Sequence, residues 1–328
     1  MICTVSTVKD SLANVRDFVE GNLAAGADHL FVFVEGGDRE VLSHLDRHPH
    51  VTAVDADTDP EPSRSLNTRQ TINANRINHL LAEVPEAEWL FHIDGDELLD
   101  IDKERLLALG PEVEVVRLVP KESVSTSHPE YADYVKHLLE PDELALLKVL
   151  DLVDSASNRR WFHGHVLGKV GIRPSRDLGL HIHHARRFGA EETMEDFRAE
   201  WLHIVHHESV TLQEFVRKWE AHLGAGPATK FRGEKELVRA AVRGVLANDH
   251  LDDEGRRRCL AEIYRRRIED DVPALLDLGV LEHAPTHDYV PRSFPRRRLR
   301  RLEEQLPELL EVDPNFFRPR QRESDPVS

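Results

Sequence analysis

The sequence contains little cysteine, no long apolar run and comparatively little positive charge. Its two cysteines, Cys3 and Cys259, lie far apart, so neither a disulfide framework nor a cysteine-based zinc site is expected. No run approaches the roughly 20 apolar residues of a membrane-spanning helix. The N-terminal stretch is too short and too polar for a signal peptide. We therefore expect a cytoplasmic protein without a transmembrane span.

Acidic residues clearly outnumber basic ones. There are 60 Asp and Glu against 43 Lys and Arg, for a formal net charge of -17. Affinity for nucleic acid depends largely on Lys and Arg that neutralise phosphates, so a nucleic-acid partner is not expected. One basic cluster lies between Arg296 and Arg301. It is either a solvated helix face or a peripheral contact, with anionic lipid at the inner face of the membrane or with a polyanionic acceptor.

Two nucleotide-binding signatures are also missing. No G-x-G-x-x-G follows the first predicted strand and no P-loop occurs, which argues against a dinucleotide dehydrogenase and a P-loop NTPase. The first hundred residues instead alternate regularly between strand and helix patterns. This alternation predicts a doubly wound α/β sheet, with strands at residues 2–7, 29–34, 51–54 and 89–93 and helices at about 11–25 and 65–84.

The rest of the sequence is less regular. Further strands are predicted at residues 113–119, 166–172, 178–183 and 201–206. The segment from about 121 to 158 shows little periodicity beyond a helical run near residues 143–153. From about residue 234 the chain is helical and strongly charged. The predicted division is therefore a domain at 1–225, a C-terminal helical region at 226–316 and a disordered tail at 317–328.

An acidic turn follows the fourth predicted strand. Asp94, Gly95 and Asp96 come directly after a mostly apolar stretch, at the end of the strand where open α/β sheets bind ligands. Two carboxylates on a tight glycine turn can hold a hard divalent cation, and such a cation would attract a diphosphate. Other D-x-D patterns occur at residues 55–59 and 100–102, so a solvated turn is the open alternative.

Histidines are concentrated late in the chain, where eight of the 20 fall between residues 163 and 207. Imidazole is a common ligand of transition metals and titrates near neutral pH. A hydrogen-bonded structural role is the simpler interpretation for most of these residues. His183 and His206 each end a predicted strand, and we predict that one or both complete a metal shell with Asp94 and Asp96.

Several motifs occur in an order that resembles a known enzyme family. They are T-V-K-D at residues 7–10, an apolar strand with an acidic glycine turn at 30–38, W-L-F-H-I-D-G-D-E-L-L at 89–99, G-K-V-G-I-R at 168–173 and H-I-V-H-H-E-S at 203–209. Over roughly the first 220 residues, this order resembles the family-2-like glycosyltransferases with a GT-A fold, in the branch whose acidic motif reads D-x-D-E. The resemblance implies a GT-A-like, doubly wound mixed sheet flanked by helices. The C-terminal helical appendage lies outside the resemblance and is predicted from the helical patterns after about residue 234.

The resemblance assigns nucleotide-binding residues by their position in these motifs. Thr7, Lys9 and Asp10 would border the nucleotide. Glu35 stands where the family commonly has an aspartate that contacts the nucleoside. Its longer side chain is a departure from the family pattern.

The resemblance also assigns residues to the diphosphate and the metal. Arg76 and Lys169 would supply positive charge near the donor phosphates. Asp94 and Asp96 would bind the metal and the diphosphate, with Asp96 as the more direct ligand. The family's His-Tyr pair near the last strand reads His-His here, beginning at His206.

The implied activity is metal-dependent transfer of a sugar from a nucleotide-diphosphate sugar to an acceptor hydroxyl, with inversion. The cation would be Mn2+ or Mg2+, and a UDP-sugar is favoured over a GDP-sugar. The acceptor would be a glycan, a lipid-linked molecule or a small molecule. The cation would neutralise charge on the leaving diphosphate, and a base would deprotonate the acceptor. Glu122, Asp177 and Glu208 are open candidates for the base, and no catalytic residue is assigned.

Two other functions stay open on the sequence. A metal-dependent phosphoesterase would use the Asp and His residues in a two-metal site, and it would need Asp–His pairs spread over several strands. A catalytically silent GT-A-like module would use its C-terminal helices for assembly. The order of the motifs favours the transferase.

Overall fold

The structure is a computed structural model that describes residues 1–56, 64–224 and 234–318. Residues 319–328 of the predicted tail, and the acidic residues at 57 and 59, lie outside the described residues. The strands within the described ranges are β1 (Ile2–Val8), β2 (His29–Val34), β3 (Val51–Asp55), β4 (Trp89–His92), β5 (Glu97–Ile101), β6 (Val115–Ser123), β7 (Tyr134–Lys136), β8 (Lys169–Ile172), β9 (Leu178–Leu180), β10 (Ala185–Arg187), β11 (Leu202–His206) and β12 (Leu281–His283).

Helices connect most of these strands. Serine side chains cap two helices near the N-terminus, because Ser11 and Ser65 each accept a hydrogen bond from a backbone N–H of the first turn. The helices are α1 (Leu12–Ala24), α2 (Arg39–Leu45), α3 (Leu66–Leu81), α4 (Lys103–Leu107), α5 (Pro141–Val149), α6 (Asn158–Trp161), α7 (Leu212–Gly224), α8 (Glu234–Leu246), α9 (Asp253–Arg267), α10 (Val272–Asp277) and α11 (Arg296–Glu311), with 3-10 turns at Pro129–Tyr131 and Pro314–Phe317.

The chain forms two compact units, of which the first is built on a mixed sheet. This first unit contains residues Met1–Pro120, Leu167–Val205 and Pro285–Ser328. Its strands lie in the order β6-β8-β4-β1-β2-β3. The four strands β3, β2, β1 and β4 are parallel to one another, whereas β8 runs antiparallel to both β4 and β6.

Apolar side chains cover both faces of this sheet. On one face, Leu30, Val32 and Val34 of β2 pack with buried residues of α1 and α2. On the other face, Phe31 and Phe33 pack with α3 and α11. Successive side chains of a strand point to opposite faces, so the uninterrupted apolar run of β2 indicates a strand buried on both sides. The predicted α/β class, a mixed sheet flanked by helices, is confirmed and is consistent with a GT-A-like fold.

The second unit contains residues Lys121–Val166 and His206–Ala284. Its short sheet is formed by β7, which pairs with β12 and with the last two residues of β6. One apolar core lies around α5, α6 and α10 and includes Leu147 and Trp161. A second core joins α7, α8 and α9 through Phe215, which is fully buried.

The C-terminal helices divide between the two units. α8, α9 and α10 belong to the second unit, whereas α11 belongs to the first, where its Leu302 and Leu306 are buried in the core that includes α3. The two units are defined by how the chain packs, and this division does not test the predicted domain boundaries. The boundaries at residues 225 and 316 therefore stay predictions. Among the described residues, no helix combines the length and the apolar character that a membrane span requires.

Some elements differ from the sequence prediction. Neither α2 nor β5 was predicted, because each is short and lies in a polar context. The strand predicted at 178–183 ends at Leu180. The His181 N–H donates to the His184 carbonyl at 2.8 Å, so residues 181–184 form the turn between the antiparallel strands β9 and β10. His183 therefore lies in a hairpin turn, not at the end of a strand.

Candidate functional site

The order of the parallel strands reverses between β1 and β4, and we call the space beyond the carboxyl ends of these two strands the crevice. The chain proceeds from β1 to β2 and β3 on one side, and then returns to place β4 on the other side of β1. This reversal is the point at which open α/β sheets bind ligands, beyond the carboxyl ends of the strands. Thr7 lies near the end of β1, and Asp94 lies just past the end of β4.

The acidic turn is held against the end of β1. The Asp94 N–H donates to the Glu97 carboxylate at 2.8 Å, and the Glu97 N–H donates to the Asp94 carbonyl at 3.1 Å. A Cβ atom on Gly95 would lie 3.0 Å from the Val8 side chain, so a glycine lets the turn approach β1 closely. Asp96 is half-buried in this turn. The turn that carries the two aspartates is therefore held just beyond the carboxyl end of β4, next to β1.

The Asp94 carboxylate already has two side-chain partners. Gln70 of α3 donates to its Oδ1 at 2.8 Å, and Lys169 of β8 donates to its Oδ2 at 2.5 Å. Lys169 is fully buried and also lies 3.4 Å from the fully buried Glu97 carboxylate. Burial alone would raise the pKa of Asp94, but the charge and hydrogen bond of Lys169, together with the nearby His92, outweigh burial and lower that pKa to about 2. Asp94 is therefore ionised, and Lys169 faces the carboxylates of the turn.

The resemblance places three residues beside the nucleotide, and all three lie at or just after the end of β1. Thr7 is buried, and its hydroxyl accepts a hydrogen bond from Asn73 of α3 at 3.1 Å. The Lys9 side chain lies against the Glu35-Gly36 turn, since a Cβ atom on Gly36 would be 3.3 Å from its Cε. Asp10 accepts from Asn14 at 2.9 Å and so supports the start of α1.

A second group of charged residues lines a cleft at the ends of β2 and β3. Arg69 of α3 donates to both carboxylate oxygens of Glu35, at 2.5 and 2.9 Å. This bidentate pair fixes the orientation of Glu35. We call the space around it the nucleoside cleft, after the predicted contact of Glu35 with a nucleoside. Within the described part of the chain, its lining residues are Phe33, Glu35, Val54, Asp55, Ala56, Arg69, Asn73, Arg76 and Leu310.

Arg76 is directed into this cleft and toward the C-terminal helix. Its guanidinium donates to the Asn73 side chain at 3.4 Å and to the Leu310 carbonyl at 3.3 Å. It also lies over the Phe317 ring, 5.7 Å from the centroid, and is almost fully buried. In the structure, Arg76 thus contacts protein groups. Its predicted contact with the donor phosphates stays a prediction.

The histidines predicted as metal ligands lie in different surroundings. His183 Nδ1 is 2.8 Å from the Gly168 carbonyl, which fixes the orientation of its ring in the first unit. His206 belongs to the second unit, where its Nδ1 is 3.7 Å from Glu122 and its Nε2 is 3.4 Å from Glu208. The ligand roles of Asp94, Asp96 and these two histidines stay predictions.

The three candidate bases also lie in different environments. Glu122 is fully buried and accepts from the backbone N–H groups of His163 and Gly164 at 2.7 and 2.6 Å. Asp177 is exposed in the turn before β9. Glu208 is half-buried and pairs with Lys218 at 2.8 Å.

Sequence reasoning missed the polar stripe of α3. The Arg69 side chain donates to Glu35, the Gln70 side chain to Asp94 and the Asn73 side chain to Thr7. The sequence analysis predicted no role for any of these three donors. A signal was present, because residues 69, 73 and 76 follow helical spacing and all are polar. A polar stripe on a helix that is otherwise buried indicates side chains that face a site.

The chain matches no protein-family model and no curated protein. Among solved structures, it is similar to the glycosyltransferase GlyE of Streptococcus pneumoniae TIGR4, at 10% identity and a TM-score of 0.26, over 96% of this chain and 62% of GlyE. It is similar to the galactosyltransferase LgtC in complex with donor and acceptor sugar analogues, at 12% identity and a TM-score of 0.28, over 94% and 95% of the chains. A third is 4-diphosphocytidyl-2C-methyl-D-erythritol synthase from Anaerococcus prevotii DSM 20548, at 13% identity and a TM-score of 0.24, over 94% and 98%. Likenesses this weak carry no functional argument.

Proposed function

We propose that this chain is a metal-dependent glycosyltransferase that moves a sugar from a nucleotide-diphosphate sugar to an acceptor hydroxyl, with inversion. The observation that supports the proposal most is the position of Asp94 and Asp96. Their turn lies at the crevice between β1 and β4, where the strand order reverses. Ligands of open α/β sheets bind at this point.

The helix α3 connects this crevice with the nucleoside cleft. Its consecutive residues Arg69 and Gln70 contact Glu35 in the cleft and Asp94 at the crevice. A ligand with a nucleoside at one end and a diphosphate at the other would span these two neighbouring places. In the cleft, carboxylate groups can accept hydrogen bonds from a nucleobase and guanidinium groups can donate to it. We propose a UDP-sugar as the favoured sugar donor.

The residues of the turn fit a hard divalent cation. Asp94 and Asp96 offer carboxylate oxygens, which Mg2+ and Mn2+ prefer, and Lys169 keeps Asp94 ionised. Asp96 would be the more direct ligand, because both oxygens of Asp94 already accept hydrogen bonds. The bound cation would neutralise charge that develops on the leaving diphosphate. His183 and His206 are the proposed further ligands.

The base that deprotonates the acceptor stays unassigned. Glu122 does not fit this role, because it is fully buried and its carboxylate is bonded by Lys136 and two backbone N–H groups. Asp177 and Glu208 remain candidates.

The acceptor would be a glycan, a lipid-linked molecule or a small molecule in the cytoplasm. We further propose that the basic cluster between Arg296 and Arg301 contacts the membrane.

Thermal unfolding with ligands tests the proposal. We expect UDP, or another nucleoside diphosphate, to raise the melting temperature of the protein only when Mn2+ or Mg2+ is present. Asp96→Asn should abolish this increase, whereas Asp17→Asn, on the exposed surface of α1, should leave it unchanged. Hydrolysis of a phosphate ester without any binding of nucleoside diphosphates would instead support the phosphoesterase. Donor binding without turnover on any acceptor would support the silent module.

A further inference from the structure

The nucleoside cleft is narrow in this structure. Its cavity volume is about 20 Å³, and a single water molecule already needs roughly 10–15 Å³ of such space. A nucleobase is several times larger than water. If the cleft receives a nucleoside, one of its walls must therefore move.

One wall of the cleft differs from the others. Of the nine lining residues that the structure describes, eight belong to β2, β3, α3 or the residues that directly follow the two strands, and these elements form the sheet and the helix packed on it. The ninth is Leu310, which comes from the last turn of α11. Its side chain is partly buried, and its carbonyl accepts a long hydrogen bond, 3.3 Å, from Arg76.

Two features of the sequence destabilise the last helical turn of α11. Pro307 lies inside the helix, and a proline there removes a backbone hydrogen bond and clashes with the preceding turn. Glu308 and Glu311 then place negative charge at the helix C-terminus, which the helix dipole disfavours. No basic residue lies in this turn to offset them.

The chain before and after this turn is well anchored. Leu302 and Leu306 of α11 are 1% and 4% exposed, and Phe317, beyond the helix, is 1% exposed. Phe317 packs against Arg76 and against His79 of α3. A movement of this segment would therefore be confined to the short stretch between Leu306 and Phe317, which contains Leu310.

We propose that Leu310 is the residue that controls entry of the nucleoside into this cleft. The last turn of α11 moves away at Pro307 to admit the ligand and returns against Arg76 when the ligand leaves. The inference rests on the proposed function, because it concerns the same donor site. Only the fraction of molecules with the cleft open binds ligand, and the apparent dissociation constant rises as that fraction falls.

Calorimetric titration of the full chain with UDP, GDP, CDP and ADP in turn, each with Mn2+, tests this inference. We expect Leu310→Ala to tighten binding of the preferred nucleotide by about fivefold, because the open fraction increases. Leu309→Ala is the matched control, since Leu309 packs on the same core without lining the nucleoside cleft. Pro307→Ala should weaken binding by about threefold, because a continuous helix holds the last turn in place.

The outcomes separate the inference from the function on which it rests. If the unaltered protein binds a nucleoside diphosphate and Leu310→Ala binds no more tightly than Leu309→Ala, the entry role of Leu310 is wrong and the proposed function stands. Weaker binding by Leu310→Ala would show that Leu310 is a fixed wall of the site, which also overturns the inference. If no variant binds any of the four nucleotides, both the inference and the proposed function are wrong.

Discussion

Lys169 and Asp94 form a buried ion pair in which Nζ lies 2.5 Å from Oδ2. The pair joins β8 to the acidic turn after β4. Lys169 also lies close to the buried Glu97, so one cation serves two carboxylates. The resemblance had assigned Lys169 to the donor phosphates. In the structure its charge is directed to the carboxylates that are proposed to carry the metal.

Replacing Lys169 should therefore strongly destabilise the first unit. Lys169→Met leaves Asp94 and Glu97 without their cation, and breaking a buried pair costs about 3–5 kcal/mol. Urea unfolding measures this loss, and Lys169→Arg should recover part of it. Arg105→Met is the control, since its pair with Asp102 is largely exposed and should contribute less than about 1 kcal/mol. Equal losses in Lys169→Met and Arg105→Met would contradict this account.

Glu35 should matter for nucleotide binding. Glu35→Gln keeps the shape of the side chain but removes the charge that holds Arg69 in a bidentate pair. Hydrogen bonds to charged groups contribute about 1.5–3 kcal/mol, so we expect UDP affinity to fall by about tenfold or more. Titration calorimetry measures the change, with Glu40→Gln on the exposed surface of α2 as the control. Unchanged affinity in Glu35→Gln would remove Glu35 from the site.

Acid should destabilise the first unit through His29. This side chain is buried beside Phe31 and Phe294 and bonds to the Thr52 hydroxyl at 2.8 Å. Burial lowers the pKa of His29 to about 3, so the folded state keeps it neutral while the unfolded chain takes up a proton below about pH 6.5. Its contribution is fully present above pH 6.5 and falls by about 1.4 kcal/mol per pH unit as the pH decreases toward 3.

The comparison of pH 7.5 with pH 4.5 isolates this effect. His29→Gln keeps a polar group opposite Thr52 but cannot titrate. The loss of unfolding free energy between the two pH values, measured by urea unfolding, should be smaller in this variant by about 2–3 kcal/mol. The same acid loss in the variant and the unaltered protein would show that His29 is not responsible.

Lys136 should be essential for the second unit. It is fully buried and lies 2.9 Å from Glu122 and 3.2 Å from Asp270. Burial would lower the pKa of Lys136, but the two carboxylates outweigh burial and raise it, so the lysine is charged. Lys136→Met leaves two buried carboxylates unneutralised and should cost about 3–5 kcal/mol.

Limited proteolysis checks this prediction, because it reports on one unit at a time. Cleavage between residues 121 and 166 should be much faster in Lys136→Met than in the unaltered protein. Lys148→Met is the control, since Lys148 and its partner Asp151 are both exposed and the pair contributes little. Similar cleavage rates for the two variants would contradict a central role for Lys136.

Local patterns in the sequence determined much of the first unit. The apolar run of β2 indicated a strand buried on both faces, and the structure places β2 between β1 and β3. The position of the acidic turn after β4 was also evident. Short elements such as α2 and β5 were missed, because a few residues in a polar context carry too little periodicity to identify them.

The partners of the charged side chains were decided by tertiary structure alone. Lys169 and Asp94 are 75 residues apart, Lys136 and Asp270 are 134 apart, and Arg76 and Leu310 are 234 apart. In a chain with 60 acidic and 43 basic residues, a lysine has many possible partners of the right charge. Hydrophobic periodicity reports which side of a strand or helix is buried, and this is a local property that the sequence determines. Which charges meet depends on strand order and helix packing, and these exist only once the whole chain has folded.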